Sequence, residues 1–539
     1  MSNVSTRVVI PQKEAARPSL PVSDDAWRKM PIEVKVSTPE VIAEDVRVLR
    51  ASFRSGTTRN LDTRRRALES VQRMLREQRR AIQDALWKDL HKPPAETLIS
   101  ELLPLENEVQ MHLDYLNDWA APEKVWTNLA NLPGASYIYK EPLGVVCLMG
   151  TWNYPVQLTL WPLIGALSAG NCVVLRLPSD DTCVHTCELL FTIVSGYINR
   201  QLVRVVHGNI PATTAMLEQK FDLILATGGA TIGKIVAQAA AKTLTPTILE
   251  LGGKTPTIVD ETCDLDVTAK RLTWATFLNS GQSCVRPDYI MVNAAVGDQL
   301  VAKIEANIKA FFGDDAKKSA SYCRLGTDRF YKRVAGFLTK DAAFVTFGGE
   351  KDAGDRFIAP TLLNFKRDFA AFRDSAVMQE EIFGPLLPIY YYENIDEAIE
   401  FVNDGEKPLA LYVYSSKSKV QERVLQETSS GTACINDSMV HNVNLNLPFG
   451  GVGASGSGAY HGEFSFNAFS HRRGVLRKYW IFDAKQRYMP YTDSSVNFLR
   501  MVMKPLPRVT LFMIVYAAFA FTIAAIGFFL QDYRSRHGQ

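Results

Sequence analysis

The sequence predicts an α/β protein built on an open, mostly parallel sheet, and three observations carry that expectation. Short apolar runs at Val145-Val146-Cys147-Leu148-Met149, Val173-Val174-Leu175, Leu223-Ile224-Leu225 and Ile258-Val259 are bounded by Gly, Pro or Asp, and each precedes a stretch with helical features. The chain's 539 residues are too many for one core, so two or three domains are expected. A hydrophobic content of 47% against 22% charged residues fits a globular protein and confines disorder to local segments.

Along the chain, residues 1–40 are rich in Pro, Ser and charge, lack periodicity, and read as a mostly disordered leader. Their one apolar stretch, Val8-Val9-Ile10, is too short for a signal peptide. From Leu61, the residues Leu68, Val71, Leu75, Ile82 and Leu86 recur at three- and four-residue steps. With Arg64, Arg65, Arg66, Arg73, Arg76, Arg79 and Arg80 between them, they predict one amphipathic helix with a solvated basic face. The strand-helix alternations follow. After Leu225 comes Gly228-Gly229-Ala230-Thr231-Ile232-Gly233, which leaves a predicted strand and opens a predicted helix. Its free N–H groups could receive a pyrophosphate, although a tight turn needs glycine for conformational reasons alone.

Lys plus Arg exceed Asp plus Glu by only three, which asks for no nucleic-acid partner. The eight cysteines include no Cys-x-x-Cys pair and no cysteine-histidine cluster at zinc spacing, so neither a metal site nor a disulfide framework is expected. Cys183 and Cys187 would share a helical face and read as small core residues.

Cys284, in Asn279-Ser280-Gly281-Gln282-Ser283-Cys284, follows Glu250 of Leu249-Glu250-Leu251-Gly252-Gly253-Lys254 by thirty-four residues. A soft nucleophile and a carboxylate base on separate elements suit covalent chemistry at a carbonyl. Taken singly, the commoner reading is a buried thiol and a solvated glutamate. The polar, glycine-bearing surroundings of both weigh against it.

These segments resemble the aldehyde dehydrogenase superfamily. So do Glu141-Pro142-Leu143-Gly144-Val145-Val146, Gly150-Thr151-Trp152-Asn153-Tyr154-Pro155, Glu380-Glu381-Ile382-Phe383-Gly384-Pro385, Leu447-Pro448-Phe449-Gly450-Gly451-Val452-Gly453 and Ser470-His471-Arg472-Arg473, in the family's order. The resemblance covers roughly residues 40–480 and is strongest to the class 3, fatty-aldehyde-type branch. It implies two Rossmann-like α/β domains with a β-arm for oligomerisation. The cofactor domain would occupy residues 41–250, with part of the arm near 128–143, and the catalytic domain 251–445. A return segment at 446–485 and a linker at 486–508 would complete the chain before a membrane span.

The resemblance also implies an NAD-dependent oxidation, with NADP possible, in a homodimer. Cys284 would attack the aldehyde, the Asn153 amide and the Cys284 N–H would hold the oxyanion, and Glu250 would activate water. Gly228 and Gly233 would fall on the family's variant nucleotide turn, Glu381 on the nicotinamide ribose and Phe383 beside the ring. One departure stands out. The family's Val-Val-Leu-Lys-Pro-Ser-Glu is here Val173-Val174-Leu175-Arg176-Leu177-Pro178-Ser179-Asp180, so Arg176 replaces a ribose-contacting lysine. An arginine could accommodate a 2′-phosphate, whereas Asp180 could accept from a 2′-OH.

Residues 509–530 contain no charge, and 22 residues at about 1.5 Å each span roughly a ~30 Å bilayer core. A C-terminal transmembrane tail anchor is therefore expected, with the enzyme facing the cytosol from the endoplasmic reticulum or the mitochondrial outer membrane. An anchor favours lipophilic aldehydes: fatty, prenyl or apocarotenoid. The alternatives are an aromatic-aldehyde or semialdehyde dehydrogenase of a membrane-bound pathway, and a noncatalytic scaffold, against which the intact Cys284, Glu250 and Asn153 argue.

Overall fold

The computed structural model describes residues 34–178, 182–481 and 483–505. Two compact units are formed, one from the chain up to Ala120 together with Glu141–His471, the other from Ala121–Lys140 together with the chain from Arg472 onward.

The first unit contains two largely parallel sheets. The six-stranded sheet runs in the order Gly456–Ser457, Thr247–Glu250, Leu223–Thr227, Val145–Met149, Cys172–Arg176, Val203–Val206, with only Gly456–Ser457 antiparallel. Val145–Met149 and Cys172–Arg176 are buried throughout. Burial on both faces is why they read as unbroken apolar runs and not as alternation. Glu250 closes its strand opposite Thr227 on one side and Gly456 on the other, at the carboxyl edge where open α/β sheets bind ligands. The seven-stranded sheet runs Val345–Phe347, Thr361–Lys366, Leu386–Tyr392, Tyr289–Asn293, Pro256–Val259, Ala410–Tyr414, Thr432–Ile435, again parallel except for its first strand.

The helix Gln157–Ala169 is apolar and buried almost all round, the expected pattern for a helix enclosed by others. Leu61–Glu77, Leu103–Ala120 and Gly462–Ala468 all pack on it. Gly165 permits the last approach, since a Cβ there would lie 2.6 Å from the Ser465 Cβ.

Two expectations need correction. The single amphipathic helix is two, Leu61–Glu77 and Arg79–Leu90, broken at Gln78, whose N–H still bonds the Met74 carbonyl. Its basic face is not wholly solvated either: Arg64 is buried, donating through Nε to the Thr58 carbonyl at 2.7 Å and through Nη1 to the Ser168 carbonyl at 3.3 Å. Desolvation lowers its pKa to about 10.

In the second unit a three-stranded sheet joins Glu123–Val125, Gly134–Pro142 and Ser470–Lys478. The part of the expected linker that is described contains the helix Asp493–Met503, N-capped by the Thr492 hydroxyl. The expected span at 509–530 and most of the leader lie outside the described residues. Among the described residues no helix is long and apolar enough to cross a membrane.

Candidate active site

Beyond the helix Leu265–Phe277 the chain makes a turn in which Asn279 (φ 54°), Ser280 (φ 50°) and Gly281 (φ 72°) are all left-handed. Two consecutive non-glycine residues in that region carry strain that surrounding bonds must offset. The Glu96 carboxylate accepts from the Asn279 N–H at 2.9 Å, and the Asn279 amide donates to the Asn153 carbonyl at 2.8 Å and the Gln282 carbonyl at 3.2 Å. The Gln282 amide in turn donates to the Asn279 and Arg324 carbonyls at 2.9 and 3.0 Å and accepts from the Gly326 N–H at 2.8 Å. Gly281 must be glycine, because a Cβ would lie 2.4 Å from the Gly384 carbonyl oxygen. The turn delivers Cys284, a residue of intermediate exposure.

Asn153 is brought to the same turn: its Nδ2 donates to the Gln282 carbonyl at 3.1 Å, which engages one of its two N–H bonds. Behind it lies a fully buried ion pair that sequence reasoning missed. The Lys92 ammonium sits 2.6 Å from Glu101 Oε1, 3.2 Å from the Asn153 carbonyl oxygen and 4.1 Å from the Tyr154 ring centroid. Glu101 Oε2 accepts from the Val156 and Gln157 N–H groups at 3.1 and 2.8 Å, at the start of the buried helix, where a carboxylate is favoured by the helix dipole. Glu96, which takes the Asn279 N–H, has its pKa raised by burial to about 6.

Glu250 is buried, and neither carboxylate oxygen has a hydrogen-bond partner. Burial lifts its pKa well above the ordinary carboxylate range. Burial, then the Glu381 and Glu250 charges, also raise the Cys284 thiol, while the Cys284 and Val285 backbone N–H groups lower it. The structure therefore brings Cys284, Glu250 and Asn153, from three separate segments, into one site. Among the described residues no cluster of His, Cys, Asp and Glu could hold a metal ion.

The glycine turn meets this site from the other side. Gly228 donates its N–H to the Glu250 carbonyl at 3.0 Å, and the helix Ala230–Ala241 begins at exposed Gly229 without a side-chain cap. A Cβ on Gly229 would have nothing within 4 Å, while Gly233 packs closely on Leu251. An uncapped N-terminus of this kind fits a phosphate group. Glu381 has a buried Oε1 with no partner, which fits a ribose hydroxyl donor. Burial and then Asp288 raise its pKa to about 8. Arg333 holds that loop by donating to the Glu381 and Ile382 carbonyls at 2.9 and 2.6 Å. Phe383 lies edge-on to Trp152, ring centroids 5.6 Å apart, and so beside Asn153.

Arg176 is a different matter. It is buried, and its guanidinium donates to Thr213 Oγ1 at 2.9 Å and to the Pro178 and Gly208 carbonyls at 3.1 and 2.6 Å. These three bonds brace the end of a strand against neighbouring turns. Asp180 lies outside the described residues.

Residues 12–475 match the family model described as "Aldehyde dehydrogenase family". The rat "Aldehyde dehydrogenase, dimeric NADP-preferring" is 45% identical over 451 residues, which are 83% of this chain and 98% of that protein. The mouse "Aldehyde dehydrogenase family 3 member A2" is 43% identical over 454 residues, 84% and 92% of the two chains. Among solved structures, AldH of Staphylococcus aureus in a substrate-bound state superposes with a TM-score of 0.83 at 35% identity, covering 86% of this chain and 99% of its own. A Mycobacterium tuberculosis aldehyde dehydrogenase complexed with NAD+ gives 0.74 at 25%, covering 84% and 92%. The chain belongs to the aldehyde dehydrogenase family, oxidoreductases that use NAD or NADP.

Proposed function

We propose that this enzyme oxidises lipophilic aldehydes to carboxylic acids through a thioester on Cys284, with Glu250 as the base. The Cys284 thiolate adds to the aldehyde carbon, and the resulting oxyanion is held by the Asn153 amide and the Cys284 N–H. Removing one such donor costs about 10²–10³ in rate. When bound, NAD or NADP accepts the hydride that this carbon loses, leaving an acyl thioester. Glu250 then takes a proton from water, the hydroxide adds to the thioester, and collapse releases the acid and returns the thiolate. The observation that carries the division of labour is Glu250 itself: a buried carboxylate with two unpartnered oxygens has bonds to give only to what enters the site.

The lipophilic substrate class rests on residues 509–530, whose uncharged run matches a bilayer span and would hold the enzyme where such aldehydes dissolve. We read the chain as tail-anchored in the endoplasmic reticulum or mitochondrial outer membrane with the catalytic unit cytosolic. The name of the rat relative supports a homodimer, and we assign pairing to the strand Gly134–Pro142. The test is a kcat/KM series with saturated long-chain, prenyl, apocarotenoid, aromatic and semialdehyde substrates, each with NAD and with NADP. A rise with chain length supports the reading. A preference for short semialdehydes or small aromatics contradicts it.

A further inference from the structure

We propose that Glu96 is a positioning residue for the oxidation, whose ionised carboxylate holds the turn at 279–281 in the form that sets the Cys284 N–H and the Asn153 amide around one oxyanion. Glu96 is buried on the short helix Pro94–Thr97, and its Oε1 accepts from the Asn279 N–H at 2.9 Å and from the Cys323 thiol at 3.5 Å. The first bond falls on the first of two consecutive left-handed non-glycine residues, Asn279 at φ 54° and Ser280 at φ 50°. Such a backbone persists only where its surroundings over-determine it. The second bond falls on the residue before Arg324, and Gln282 grips that same segment through the Arg324 carbonyl and the Gly326 N–H. The turn is thus tied to one segment from both of its ends.

The turn in turn fixes both oxyanion donors. The Asn279 amide donates to the Asn153 carbonyl at 2.8 Å, and Asn153 Nδ2 donates to the Gln282 carbonyl at 3.1 Å. A shift of Asn279 therefore moves Asn153 and the chain leading into Cys284 together.

A neutral amide oxygen could accept the same N–H without the cost of burying an ion. Lys92, the cation that acts on Glu96, is itself paired with Glu101 at 2.6 Å. What the charge adds is bond strength, because an ionised acceptor holds an N–H more tightly than a neutral one. The titratable groups facing Glu96 are Lys92 and Glu101 from its own segment, the Cys323 thiol and the Tyr154 hydroxyl. Desolvation outweighs Lys92 and places the carboxylate's pKa at about 6, so it is charged at neutral pH and neutral in acid.

This inference rests on the reading of Cys284 as the nucleophile and adds a residue that acts on it through Asn279. The test is the rapid-mixing rate of the first hydride transfer in full-length wild type, Glu96→Gln and Glu96→Ala across the pH range, with nucleotide affinity measured alongside. The titrations of Cys284 and Glu250 are common to wild type and Glu96→Gln and cancel in the ratio of their rates. That ratio should stand near one at about pH 5, where both side chains are neutral, and rise to about fivefold above neutrality, with its midpoint near the Glu96 pKa. Glu96→Ala should slow the first turnover at least about tenfold at neutral pH, with a smaller change in nucleotide affinity.

A carboxylate with a merely structural role would lower thermal stability and leave the ratio flat. A flat ratio overturns the proposal, as does a normal first turnover in Glu96→Ala. Should Glu96→Ala fail to fold, the ratio for Glu96→Gln still decides. Aldehyde oxidation retained by Cys284→Ala would show that the Cys284 reading has failed instead. With Cys284→Ala inactive, a flat ratio counts against Glu96 alone.

Discussion

Glu250 and Cys284 must each lose a proton before acting, and the environment of each holds that proton more tightly than water does. Activity should therefore fall on acidification and rise into the alkaline range, which a pH profile of kcat/KM will show. Glu381 adds a second sign. Its pKa is about 8, so its charge presses on the thiol mainly above that value, and Glu381→Gln should move the alkaline limb to lower pH there. Because the folded pKa lies above the ordinary carboxylate value, Glu381 favours folding fully below that value and progressively less as pH rises through 8. Urea unfolding of Glu381→Gln should accordingly show a flatter stability curve between pH 5 and 8. Lys92→Met should strand Glu101 as an unpaired buried charge, costing about 3–5 kcal/mol, and should lower kcat through Asn153 with little change in nucleotide affinity. Arg176→Met should destabilise the protein by roughly 2–4 kcal/mol and leave the NAD to NADP ratio unaltered, since its donors are given to Thr213, Pro178 and Gly208. A changed ratio would show that Arg176 acts at the nucleotide site. Cys284, Glu250 and Asn153 were readable in the sequence because each sits in a contiguous motif. Lys92, Glu96 and Glu101 were not, because a buried charge is recognised by its tertiary partners and nothing in the local pattern separates it from a solvated one.

At the level of elements, the doubly covered strands were legible because burial on both faces writes an unbroken apolar run. The break at Gln78 was not, since the apolar period passes through it and the interruption is made by packing. The helix Asp493–Met503 was missed for a related reason: its apolar residues crowd into its second half, and the exposed Met501 and Met503 blur its face. The turn at 279–281 is the element on which most depends. Gly281→Ala would force a Cβ toward the Gly384 oxygen from a left-handed backbone, so the turn must shift. The expected outcome is a large loss of kcat, because Gln282 and Asn153 move together, with a smaller loss of nucleotide binding passed through the Gly384 contact to the segment that carries Glu381. Equal loss of nucleotide binding would show that the turn supports the whole site.

For the whole molecule, the order of segments sets the covalent site apart from the uncharged run at residues 509–530. The six-stranded sheet presents Glu250 at its carboxyl edge, the Cys284 turn lies between the helix Leu265–Phe277 and the strand Tyr289–Asn293, and the uncharged run at 509–530 comes long after both in the sequence. Removing residues 509–539 should shift the protein from the membrane pellet to the supernatant while leaving oxidation of short soluble aldehydes unchanged. Aggregation with loss of all activity would show instead that this run belongs to the folded core. The central claim is the division between Cys284 and Glu250, and one measurement bears on it most directly. Full-length Glu250→Gln, mixed rapidly with a long-chain aldehyde and NAD or NADP, should release one reduced nucleotide per site and then stall, with intact mass showing an acyl group on Cys284. A first turnover lost as severely as the steady state, or a stalled enzyme carrying no acyl group, would contradict the account.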